Sequence, residues 1–78
     1  MKSAKVMFGE LGYTMESNEY SIDYWLNSKR SIFVYKHIYF DLVSKEFMAD
    51  CNCKPMDINM PTFKAIHQQL EELGWLDE

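Results

Sequence analysis

The run Tyr20-Ser21-Ile22-Asp23-Tyr24-Trp25-Leu26 places Tyr20, Ile22, Tyr24 and Leu26 on even positions and Ser21, Asp23 and Trp25 on odd ones. A period of two marks a strand, because successive side chains leave opposite faces of a pleated chain. A second run follows over residues 31–42. Its even positions are Ile32, Val34, Lys36, Ile38, Phe40 and Leu42, and its odd positions are Phe33, Tyr35, His37, Tyr39 and Asp41. It reads as one long strand, or as two shorter ones broken near Lys36. Residues 47–51 form a third strand. Asn27-Ser28-Lys29 and residues 43–46 carry the turn residues between them.

Matching faces sets the register, since a slip of one residue turns every side chain over. A three-residue turn at 27–29 places Tyr24 opposite Ile32 and Ile22 opposite Val34. A two-residue turn at Ser44-Lys45 places Leu42 opposite Phe47 and Phe40 opposite Ala49. Both registers send the even residues of the first two strands, and the odd residues of the third, to one face. That face is the expected core.

A helix is expected on each side of the strands. Over residues 4–11, Ala4, Met7, Phe8 and Leu11 form one apolar stripe, Ser3 suits the N-cap and Gly12 the C′ position. Gly9 inside that helix costs roughly 1 kcal/mol relative to alanine, and close packing against another backbone is one reading of it. Residues 13–18 read as a polar connection, and 52–58 as a loop containing Pro55. The second helix begins after Asn59, with Pro61 in its first turn. Ile58 and Phe63 have staple spacing, and Phe63, Ile66, Leu70 and Leu73 form its stripe. Gly74 suits C′, with Trp75 folding back on the last turn. The expected architecture is α+β, a three-stranded antiparallel sheet with both helices on one face, in the order α-β-β-β-α.

Seventy-eight residues with 47% hydrophobic and 15% aromatic side chains, 3 Gly and 2 Pro suit one packed domain over 1–78. A domain of this size buries only about 60% of its unfolded surface. The net charge is −4, and the eight basic residues are scattered, with Lys29-Arg30 the one adjacent pair. Binding duplex nucleic acid through phosphates needs clustered cations, so this composition argues against it. No signal segment follows Met1-Lys2, and no apolar run reaches the ~20 residues of a membrane helix. Cys51 and Cys53, one residue apart on a strand, point to opposite faces, a poor geometry for a disulfide. Free thiols fit a reducing cytoplasm.

Candidate chemistry is sparse. Cys51-Asn52-Cys53 offers half of a zinc site, but only His37 and His67 remain as soft partners, and neither lies close in the sequence. The plainer reading packs Cys51 in the core and leaves Cys53 in the loop. No cofactor or metal is expected. No glycine-rich phosphate loop, no His-Glu-x-x-His and no nucleophile elbow is present, so no catalytic residue is assigned. His37 sits across from Glu19 in the register above, as an exposed ion pair. Glu71, Glu72, Asp77 and Glu78 read as a solvated helix end and tail.

One feature goes beyond a satisfied core. With the even residues inward, the outer face carries Trp25, Phe33, Tyr35, His37, Tyr39 and Met48. Two helices cover only one face of such a sheet, and an uncovered aromatic face suits a partner. Asp23, Asp41 and Asp50 share that face and Lys36 does not, which argues against stacking single-stranded bases. The expected function is a non-enzymatic interaction module acting through a protein partner or through self-association, as a homodimer or other homo-oligomer. An acidic inhibitor of a host nucleic-acid-processing enzyme is the alternative. The competing reading makes the same aromatics ordinary core under a second helix.

Residues 4–13, Ala-Lys-Val-Met-Phe-Gly-Glu-Leu-Gly-Tyr, resemble the opening of small uncharacterised proteins encoded in phages, prophages and mobile elements of Gram-positive bacteria. Residues 64–76, Lys-Ala-Ile-His-Gln-Gln-Leu-Glu-Glu-Leu-Gly-Trp-Leu, resemble their ending, and Ile38-Tyr39-Phe40-Asp41-Leu42 is similar to their central hairpin. Gly9 departs from the more usual charged residue. These motifs are fold-forming. The resemblance implies a mobile-element origin and a cytoplasmic setting, and brings no activity and no site residues.

Overall fold

The computed structural model describes residues 2–27, 35–52 and 54–77. Helix α1 spans Ala4–Glu10, and the Ser3 hydroxyl caps it by accepting from the Val6 N–H. Leu11 closes it, and Gly12 then turns the chain at φ +96°, where a side chain would be strained and would also meet Leu26 Cδ1 at 3.1 Å. Helix α2 spans Met60–Glu72, with Asn59 Oδ1 accepting from the Thr62 N–H at 3.0 Å and Pro61 in the first turn. Gly74 takes φ +75°, and a single 3-10 turn over Trp75–Asp77 brings Trp75 back to within 6.4 Å of the Phe40 ring.

The sheet is an antiparallel meander of five strands, not three. In order they are β1 (Thr14–Ser17), β2 (Ser21–Asn27), β3 (Tyr35–Asp41), β4 (Glu46–Cys51) and β5 (Lys54–Pro55). The two added strands lie at the edges. β1 carries one apolar side chain, Met15, so its periodicity is silent. It forms because Asn18 Oδ1 accepts from the Tyr20 and Ser21 N–H groups and turns the chain back. Tyr20 is therefore a turn residue, 63% exposed, rather than a strand residue. β5 is two residues long. It follows Asn52, which adopts φ +53° and holds Tyr35 at both backbone groups, accepting from its N–H and donating to its carbonyl.

The register differs from the expectation at both hairpins. Tyr24 faces Ile38, not Ile32, and Ile22 faces Phe40, not Val34. Phe40 faces Phe47, not Ala49, because four residues turn between β3 and β4. In that turn Asp41 Oδ1 accepts from Val43 N–H and Ser44 N–H, and Lys45 sits at φ +60°. Both differences are even numbers of residues, six and two, so the assignment of faces survives them. Residues 31–34, the expected start of the second strand, lie outside the described residues.

The core joins both helices to the even face of β2 and β3. Ala4, Phe8, Tyr13, Tyr24, Ile38, Phe40, Ala65 and Ile66 are buried together. Phe8 stacks on Tyr24 at 3.9 Å between ring centroids, and Tyr24 meets Phe40 edge-on. The Tyr24 hydroxyl donates to Gln69 Oε1 at 2.6 Å. That bond explains a correction on α2. Its buried stripe is Thr62, Ala65, Ile66 and Gln69, while Phe63 is 49% exposed. A glutamine with a buried donor to satisfy takes the inward position that a purely apolar stripe assigns elsewhere. Glu72 is exposed, as expected of a solvated helix end, and its carboxylate also accepts from the Ala4 N–H at 2.7 Å and caps α1.

Gly9 is not a close-approach glycine. A Cβ built there meets nothing within 4 Å, and its φ is not positive. Replacing it by alanine is expected to stabilise the domain by up to about 1 kcal/mol in urea denaturation. A lowered midpoint would show that a glycine is required there.

Candidate functional site

The odd positions of β2 and β3 leave the sheet on the side opposite both helices. β4 contributes its even positions there, since Met48 pairs with Tyr39 and Asp50 with His37. Trp25, Tyr35, His37, Tyr39 and Met48 thus share one face, as expected, and Phe33 lies outside the described residues.

The rings on that face are stacked on each other. Trp25 and His37, cross-strand partners, lie 3.7 Å apart at 5° between planes. Tyr39, two residues along β3, continues the stack at 5.2 Å and 20°. Tyr35 leans on the other side of Trp25 at 6.0 Å. The Tyr39 hydroxyl donates to Met48 Sδ at 3.0 Å. Mutual cover leaves the four rings half-buried, and Met48 is 49% exposed. The face is less open than the sequence suggests, and among the described residues no helix lies over it.

His37 is held by Asp23 rather than by Glu19. Its Nε2 lies 2.8 Å from Asp23 Oδ1, with side-chain exposures of 15% and 20%. The six-residue change of register moves Glu19 out of reach. Ser21 donates its hydroxyl to the other oxygen of Asp23 at 2.8 Å. In this chain of contacts the carboxylate separates hydroxyl from imidazole. The arrangement orients the ring but does not set a base against a nucleophile.

Acidic residues surround the stack. Glu16 faces Asp23 directly across β1 and β2, and Asp41 faces Glu46 directly across β3 and β4. The backbone N–H groups of Ser44 and Val43 hold the Asp41 carboxyl below its ordinary value. Glu16 and Glu46 were not singled out by the sequence. Residues 13–18 read as a connection and Glu46 falls in the expected turn, so periodicity assigns neither residue a face.

The remaining candidates do not converge. Cys51 is a half-buried free thiol outside the core cluster. It borders a groove of about 490 Å³ with Lys36, Lys54 and Asp57, and neither histidine lines it. His67 lies on the exposed side of α2, 3.5 Å from Glu71 and 6.1 Å from the Phe63 ring centroid. No group of three metal-ligating side chains occurs among the described residues, and none of their helices is long and apolar enough to cross a membrane. Compared with protein-family models, with curated proteins and with solved structures, the chain matches none.

Proposed function

We propose that the chain is a non-enzymatic interaction module that works by burying its outer sheet face against a protein. The observation that carries this reading is the Trp25-His37-Tyr39 stack, extended by Tyr35 and Met48, on the face that neither helix covers. Stacked rings are rigid, so burying them costs little side-chain entropy, and Trp and Tyr are the usual anchors of protein interfaces. The proposal includes a cytoplasmic setting in a phage or mobile element, which rests on the sequence resemblance alone.

The test is photo-crosslinking in cells with benzoylphenylalanine placed at position 48, on the face, or at position 63, on exposed α2. The expected result is a discrete adduct from 48 that disappears when Tyr35→Asp is added to a chain that still folds. Adducts from 63 alone, or unfolding by Tyr35→Asp, would sink the reading.

A further inference from the structure

Building on that reading, we infer that the surface docked on the outer face belongs to another protein and presents arginine side chains. The face combines rigid aromatics with five carboxylates: Glu16, Asp23, Asp41, Glu46 and Asp50. A guanidinium is the group that answers both, since it stacks on rings and donates paired N–H bonds to carboxylate oxygens.

Two features bear on the occupant. First, among the described strand residues no lysine or arginine points to this side. Lys36 and Lys54 take the opposite parity, paired with Leu26 and Cys51 on the core side. Second, like charges directly opposed on neighbouring strands are destabilising. The face holds two such pairs, Glu16 with Asp23 and Asp41 with Glu46. A cationic partner offsets that repulsion. A second copy of the chain does not, because a two-fold contact through this face sets one acidic surface against the same acidic surface. Nucleic acid is repelled for the same reason.

The test uses the full chain labelled with nitrogen-15, titrated with a peptide of eight arginines and followed by NMR. The same chain is sedimented alone to read its oligomeric state. The comparison variant is Glu16→Gln with Glu46→Gln, which removes one member of each opposed pair and leaves the aromatic stack untouched. Amides of β1 to β4 are expected to shift, with affinity falling steeply as salt rises from about 0.01 M to about 0.15 M. The double variant is expected to bind at least about tenfold more weakly while its unfolding midpoint holds or rises. That opposition of binding and stability separates a binding role from a structural one.

The inference is overturned if the peptide shifts Glu71, Glu72 and Asp77 instead, if the double variant binds as the parent does, or if the chain dimerises through this face. Crosslinks from position 48 without peptide binding would refute arginine and keep the interface. Absence of both would remove the interface as well.

Discussion

Phe8→Ala is expected to cost the domain about 3–5 kcal/mol, the range for emptying a buried phenylalanine site. Phe8 is fully buried, stacked on Tyr24 at 3.9 Å and edge-on to Tyr13 at 5.5 Å. Its neighbours cannot easily collapse into the space. Ala4 and Ala65 are already small, and Tyr24 is tethered to Gln69 through its hydroxyl. By the usual per-residue scale a chain of 78 residues has a total stability of roughly 4–12 kcal/mol. The variant therefore loses a large share of it and is expected to be partly unfolded at 37 °C. Phe63→Ala is the control. Phe63 belongs to the apolar stripe read from the sequence but is 49% exposed, so its loss is expected to stay within about 0.5 kcal/mol. Urea titrations of both variants decide the matter. Equal losses would mean that α2 turns Phe63 inward, against the packing described here.

The second large effect is a loss of stability in alkali that runs through Tyr24. Burial, and then the nearby Glu72 carboxylate, push the Tyr24 hydroxyl up to about 12 from 10.0. The folded state holds this proton more tightly than the unfolded state does. The contribution is whole below pH 10 and is lost as pH climbs from 10 towards 12. Two pH units correspond to on the order of 2–3 kcal/mol. Tyr13 titrates upward for a similar reason, burial first and then Cys51, and adds a smaller slope of the same sign. Tyr24→Phe costs about 1–2 kcal/mol at neutral pH, because Gln69 Oε1 loses its donor. In exchange it flattens the alkaline limb. The measurement is the urea midpoint by circular dichroism at intervals from pH 8 to 12. Parallel decline of parent and variant would assign the alkaline transition to other groups.

Individual residues show why parts of the fold are legible in the sequence. Ser3, Gly12, Asn59, Pro61 and Gly74 act within one turn of themselves, through a side-chain oxygen, a missing N–H or a positive φ. Such signals need no tertiary partner, and both helices fall where they indicate. The faces of β2, β3 and β4 were also legible, because parity is indifferent to an even error of register. Trp25, Tyr35, His37, Tyr39 and Met48 come together despite shifts of six and two residues.

Other features depended on partners distant in the chain. β1 is a strand because β2 lies beside it, and Thr14-Met15-Glu16-Ser17 has no periodicity to announce that. Gln69 is buried because Tyr24, 45 residues away, needs an acceptor. Glu72 caps a helix 68 residues earlier in the chain. Asp23 meets His37 only in the register that the tertiary fold selects. The helix ends and the inward and outward sets of the central strands follow from the order of residues without any tertiary partner, since backbone chemistry and side-chain alternation are local. Strand number, register, the rotation of α2 and the pairing of polar groups were decided by tertiary structure alone, because each is settled by which distant group satisfies a buried donor, acceptor or surface.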